Sequence, residues 1–346
     1  MAQVATLRDS RTPGQAGVRR RKAAEAILRP LLGGLLLLLA LIGLIGTAIK
    51  NPQPHDIQVG LVGPAPAIQQ ISGGFESKAP GAFRFTSYES VDAARAAIDA
   101  RSVDGVVILG AGGPRLLVAG AAGDAVTGVI SGALTNAFRA QGQAVTVETV
   151  HPFTSGDAHG LILFFVVLAV VISTLVAQAL VGLRSDTGLG VRLVMVAVYA
   201  ALAPLVGMGA AAWIADGYGS GFWMATGLVG LASAAMGAVV AGSARLLGPA
   251  GVGLAALVVV LLDLVASGGP IGSQLLPDFY RWLAPGMPAG QLYSAVRGAL
   301  YFDNAGLGTP IAVLSAWLAG GLVLMVLGEL VERRSPAGVS RLDGAQ

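Results

Sequence analysis

The chain has no cysteine in 346 residues, so disulfides and thiolate metal sites are excluded at the outset. Charge is scarce as well. Only 12% of residues are Asp, Glu, Lys or Arg and 54% are hydrophobic, whereas an average soluble domain is about a quarter charged. No G-x-x-x-x-G-K-[ST] occurs, so the chain lacks the glycine-rich cradle that holds ATP phosphates. G-x-S-x-G and H-E-x-x-H are missing too, which removes two common hydrolase signatures. The expectation is a chain that is not an enzyme and holds no cofactor or metal of its own.

What is present is a set of long apolar runs. The hydrocarbon core of a bilayer is about 30 Å thick, and a helix crosses it with roughly 20 uncharged residues. Runs 31–49, 159–183, 193–215, 217–244 and 304–328 carry no charged residue, and 246–262 is uncharged up to Asp263. They predict six transmembrane helices, at 31–49, 159–183, 193–215, 222–243, 249–267 and 309–331. Lipid offers no partner to backbone polar groups, so such runs must be helical. A barrel does not fit, because two-residue alternation is lacking.

Lys and Arg near helix ends stay on the cytoplasmic side. Residues 1–30 hold seven of them, including Arg19, Arg20, Arg21 and Lys22, which places this tail inside. Six crossings then put 13 of the 22 basic residues inside and nine outside. The predicted location is the plasma membrane, with both termini, 1–30 and 332–346, cytoplasmic. A cleaved signal peptide is the competing reading of the first run, but Lys50-Asn51-Pro52 lacks a small-x-small cleavage site. The net charge of +3 comes with a basic juxtamembrane tail that suits anionic lipid headgroups and not nucleic acid. Fifty glycines suit close helix packing in lipid. Gly207, Gly209, Gly227, Gly230, Gly320 and Gly321 are candidates for such contacts.

The block 50–158 reads as an extracytoplasmic domain. Strands are predicted at 56–62, 83–88, 104–109, 115–119 and 144–150, with helices at 65–78, after Ser90 as N-cap, and at 124–141. The order β-α-β-α-β-β-α-β predicts a small α/β domain with a mixed sheet. Segment 110–114 (GAGGP) precedes a strand and not a helix, so a tight turn fits it better than a phosphate nest. His151 and His159, with Asp157 between them, have no metal-ligand spacing.

Segment 268–308 is too apolar for an ordinary loop. Leu275, Leu276, Phe279, Trp282 and Leu283 form one amphipathic set and Leu292, Val296, Ala299 and Leu300 another, with Pro285 and Pro288 between them. Trp282, Tyr280, Tyr293 and Tyr301 are of the types that settle at headgroup depth. A re-entrant or interface-lying helical hairpin follows. Ionisable residues at membrane depth are functional candidates. Asp263 is read either as a hydrated or Arg-paired carboxylate or as lining a substrate path beside Arg281 or Arg297.

Several short motifs carry a resemblance. Segment 88–95 (YESVDAAR) leads into 103–108 (VDGVVI), 156–160 (GDAHG) precedes the second span, and 279–288 (FYRWLAPGMP) is followed by Arg297 and 301–306 (YFDNAG). Across residues 30–331 the plan resembles the membrane subunits of type 2 ABC exporters, in particular the YhgE/Pip-like branch. The resemblance implies export of an amphiphilic or lipid-like substrate, a separate P-loop ATPase subunit as partner, and a homodimer or heterodimer. It also implies an ATPase-docking inner loop, here 184–192 with Arg184, Asp186 and Arg192, although that loop is very short. The alternative is a non-transporting scaffold or surface receptor acting through the 50–158 domain.

Overall fold

The computed structural model describes residues 13–184 and 187–334. It is mostly helical, with one five-stranded mixed sheet and six helices long and apolar enough to cross a membrane. Those helices fall at Leu31–Ile49, Leu161–Gly182, Leu189–Ile214, Phe222–Leu247, Pro249–Ala266 and Gly308–Arg333, close to the predicted positions. This is the plan of a multi-pass membrane protein.

The chain divides into two units, Met1–Thr47 and Ala48–Gln346. Helix α1 (Pro13–Ile49) makes up the described part of the first. It begins well before the apolar run, because its early turns are rich in Ala, Arg, Lys and Glu, all good helix formers. At 37 residues it is about 55 Å long, more than one crossing needs.

The second unit opens with the α/β domain. Its strands are β1 (Ile57–Val62), β2 (Phe83–Ser87), β3 (Gly105–Gly110), β4 (Gly113–Ala119) and β5 (Thr146–Val150), in spatial order β2-β1-β3-β4-β5. All pairs are parallel except β3–β4, a hairpin whose turn pairs Gly110 with Gly113, as the GAGGP segment predicts. Central strands β1 and β3 are buried along most of their length, while β2 and β5 at the edges are largely exposed. Helices α2 (Ala65–Lys78) and α4 (Asp124–Arg139) cover one face through Phe75, Ile130 and Leu134. Helix α3 (Val91–Asp99) covers the other through Ala94, Ala97 and Ile98. Ser90 caps it, its hydroxyl accepting the Ala93 amide at 3.1 Å.

Five spanning elements follow: α5 (Leu161–Gly182), α6 (Leu189–Ile214), α7 (Phe222–Leu247), the run α8 (Pro249–Ala256) to α9 (Asp263–Ala266) through a π-helical stretch at Leu257–Leu262, and α12 (Gly308–Arg334). Helix α7 is the hub, packing on α5, α6, α8 and α12. Its approach to α12 depends on glycine. A Cβ on Gly321 would lie 2.6 Å from the Val239 main-chain nitrogen, and one on Gly242 2.6 Å from Leu324 Cβ. Gly230 likewise meets α6 closely, at the Ala200 carbonyl that Pro204 leaves without its helical donor. Gly209, Gly227 and Gly320 face open space, so the packing expectation holds for half of the candidates.

Segment 268–308 holds α10 (Asp278–Leu283) and α11 (Pro288–Tyr301), joined by a 3-10 turn at Ala284–Gly286. Helix α11 is buried on Leu292, Tyr293, Val296 and Ala299 and packs on α5, α7 and α12. The aromatic set divides in its exposure. Trp282 and Phe279 are exposed, but Tyr280 and Tyr293 are buried and Tyr301 packs against the core. Leu275 enters the core beneath one face of the sheet and Phe302 the core beneath the other. The hairpin segment therefore plugs both cores of the α/β domain.

Candidate functional site

A cavity of about 450 Å³ lies where the α/β domain meets the hairpin. Three arginines line it: Arg101 at the end of α3, Arg281 on α10 and Arg297 on α11. Asp56, just before β1, and Asp104, just before β3, supply its carboxylates. Two of the predicted substrate-path residues, Arg281 and Arg297, are thus brought together, and the third is not.

Each arginine crosses the junction. Arg281 pairs with Asp56 at 3.0 Å and with Asp278 on its own helix at 2.9 Å. Arg84 also holds Asp56, at 2.8 Å, and this hydrogen bond above all keeps the Asp56 carboxyl below the usual range. Arg297 reaches back to the Ala121 and Ala122 carbonyls after β4, and its guanidinium lies 4.5 Å from the Tyr293 ring centre. Arg101 runs the opposite way. It donates to the Ser294 carbonyl and hydroxyl, each at 3.0 Å, and to the Ala305 carbonyl at 3.4 Å.

The backbone is bent to place these groups. Asp56 and Arg101 both have positive φ, 51° and 58°. Such a conformation is uncommon for residues other than glycine and costs on the order of 1 kcal/mol. In Arg101 it comes directly after α3, where the chain must reverse before Asp104 pairs its amide with the Gln58 carbonyl at 2.9 Å. Sequence reading missed Arg101 and gave Asp104 no role. The only signals were a lone charge between a helix and a strand, and the Asp104-Gly105 pair inside the VDGVVI motif.

Electrostatics in the cavity are unbalanced. Burial first, and Arg297 second, push the Arg101 pKa down to about 10. Burial also raises the pKa of Asp104, against the pull of Arg297 and Arg101. Among the described residues neither Arg101 nor Arg297 has a carboxylate within ion-pair distance, and Arg297 Nε is buried without a partner.

Asp263 is fully buried and lies outside the cavity. Both its oxygens accept the Ala289 amide, at 2.9 and 2.8 Å. It caps the first turn of α11, where amides have no helical acceptor, and among the described residues no arginine lies within ion-pair distance of it. Asp157 does the same for α5, accepting the Ile162 and Leu163 amides at 3.0 and 3.3 Å. Three residues on, Gly160 turns left-handed at φ 68°, against the Phe153 ring, where a Cβ would clash. That is the physical content of the GDAHG motif. Asp157, His151 and His159 do not converge, since His151 pairs with Asp99 at 2.7 Å and His159 with Asp124 at 3.0 Å.

At the far end of the bundle Arg192 points inward. It is buried and donates to the Thr187 and Arg184 carbonyls at 3.2 Å each. Arg245 joins the same turn through Thr187 and pairs with Glu329 at 2.7 Å and with Glu332. Arg192 therefore closes the loop on the bundle and is not displayed for docking. Arg184 is exposed, and Asp186 lies outside the described residues. Comparison with known protein families, with curated proteins and with solved structures finds no match for this chain.

Proposed function

We propose that the chain is a permease-like subunit of a type 2 ABC export system in the plasma membrane, handling an amphiphilic substrate where its α/β domain meets the hairpin. The observation that carries this reading is the junction itself. An arginine-lined cavity sits between a domain with its own sheet and a helix, α11, that packs among the spanning helices. Pockets at domain junctions are the usual place for ligands. Exposed Trp213 at the end of α6, Trp223 at the start of α7 and Trp282 on α10 occupy the bundle end nearest the domain, as aromatic residues do at a membrane–water boundary. This supports an extracytoplasmic domain and an interfacial α10.

ATP hydrolysis would come from a second polypeptide, because the P-loop is missing. The test is purification in mild detergent from native membranes, followed by mass spectrometry of what accompanies the chain. Stoichiometric recovery of a P-loop ATPase is the expected result, and repeated recovery of the chain without one would remove the export reading.

One observation favours the second reading, a scaffold or receptor that moves nothing. The inner loop is short and Arg192 is turned into the bundle, so that arginine is not offered to an ATPase. In that case a surface or secreted protein accompanies the chain instead.

A further inference from the structure

At the far end of the bundle Arg192 rests on main-chain carbonyls, but it lies beside an arginine that has counter-charges. Arg245 meets carboxylates, Glu329 and Glu332. Arg101 and Arg297 meet main-chain carbonyls and a serine hydroxyl, which take up part of their hydrogen bonding and leave their charge. A charge withdrawn from water without a counter-charge is costly. Here two of the same sign share one cavity, and each disfavours the other. Asp104 is the carboxylate placed to offset them, and its own burial weakens it as a partner. Arg281 does not add to the excess, because Asp56 and Asp278 already balance it.

We propose that this cavity binds a phosphate-bearing anionic group, held through Arg297 and Arg101. Guanidinium groups match the flat, multiple-acceptor geometry of phosphate better than an ammonium does. Arg297 Nε is buried without a partner, so the chain itself does not use all of this guanidinium's donors. The volume, about 450 Å³, exceeds what one phosphate fills and is of the size that small-molecule pockets have. The group can arrive as the headgroup of an anionic phospholipid or as free phosphate. The inference rests on reading the junction as the ligand-handling end of the protein, and it concerns binding alone.

The test uses the full chain, stripped of lipid in detergent, with native mass spectrometry as readout. Three probes are added separately: phosphatidylglycerol, diacylglycerol with the same acyl chains, and inorganic phosphate. Retention of one phosphatidylglycerol per chain, with no retention of diacylglycerol, assigns the site to a lipid headgroup. A phosphate adduct that displaces phosphatidylglycerol assigns it to the free anion as well, and a phosphate adduct alone assigns it to the free anion only.

Arg297→Gln should abolish retention and Arg297→Lys weaken it less, since lysine keeps the charge and loses the planar donor geometry. Arg297 also ties the hairpin to the domain, so a second variant avoids that tie. Ser102 lines the same cavity and is exposed, and Ser102→Asp adds a negative charge without removing any arginine contact. It should weaken binding at least about tenfold, as expected for a like charge at close range, with Ser102→Asn unchanged. Equal binding by Ser102→Asp and the native chain, or no binding of either anionic probe, overturns the proposal. Anion binding without an accompanying ATPase would keep this inference and remove the export reading; an ATPase without anion binding would do the reverse.

Discussion

The α/β-domain end and the far end of the bundle are each closed by arginines, and they differ in what those arginines meet. At the far end Arg245 lies between α7 and α12, with Glu329 and Glu332 as counter-charges and the Thr187 carbonyl as a further acceptor. Arg192, on the Arg184 and Thr187 carbonyls, lies beside this pair, so two guanidinium groups there face two carboxylates. At the domain end Arg101 and Arg297 bond only neutral oxygens around an open cavity. An ion pair serves cohesion, whereas guanidinium charge left over beside a cavity is a condition for binding. The same residue type thus forms an ion pair at one end and lines an open cavity at the other.

The contrast can be broken first at the ion pair. Arg245→Ala removes the guanidinium that joins α7 to Glu329 and Glu332 on α12 and leaves Glu329 paired with Arg333. It should lower the unfolding temperature of the detergent-solubilised chain more than substitution of Asp263, Arg101 or Asp56 does. An unchanged melting profile would mean that the Arg245–Glu329 pair does not hold α7 to α12.

Next comes Asp263. Asp263→Ala removes the acceptor for the Ala289 amide at a buried helix start, at about 2 kcal/mol, while Asp263→Asn keeps one oxygen and should cost about half as much. Proteolysis of the 268–308 segment should rise with the alanine variant. Equal stability of the alanine and asparagine variants would count against a capping role and make Asp263 a substrate-path candidate again.

Arg101→Gln sharpens the comparison from the other side. It loses charged hydrogen bonds to Ser294 and Ala305 but relieves the repulsion from Arg297, so the net cost should be about 1 kcal/mol, well below that of Arg245→Ala. A loss equal to that of Arg245→Ala would show that Arg101 holds the domain end as Arg245 holds the far end, with no charge to spare for a ligand.

Local physics explains which of these features were legible in the sequence. The spanning helices follow from apolar run length, and the strands, though not their spatial order, from alternating runs broken by Gly and Pro. Ser90 and Gly110–Gly113 act within a few residues of themselves and could be placed at once. Asp263 stands out in the sequence as unusual, but its partner lies 26 residues away in the chain, and no spacing rule connects a carboxylate to the first turn of a distant helix. Arg101 bonds across 193 residues to Ser294. Arg192 looks like a loop cation because its neighbours are loop residues; it turns inward because the carbonyls at Arg184 and Thr187 need donors. Pairings of that kind belong to the folded chain and leave little trace in composition or period.

The smallest effect tests whether Asp56 belongs to the balanced part of the domain end. Arg84, by hydrogen bond and charge, and Arg281, by charge, hold the Asp56 carboxyl below its ordinary value of 3.8. A depressed carboxylate pKa means that the folded state favours the ionised form. The stabilisation is therefore complete above about pH 4 and fades as pH falls through the lower folded-state value. The pairs are half exposed and screened by solvent, so the contribution should stay below about 1 kcal/mol. Asp56→Asn should accordingly be slightly less stable than the native chain at pH 7, and the gap between their unfolding temperatures should shrink as the solution is acidified below about pH 4. Added salt should narrow it as well, because exposed pairs are screened over about 10 Å at 0.1 M. A gap that stays constant with pH would show that the Asp56 charge plays no part in the tie. Arg281 would then join Arg101 and Arg297 as a cation free to meet the ligand.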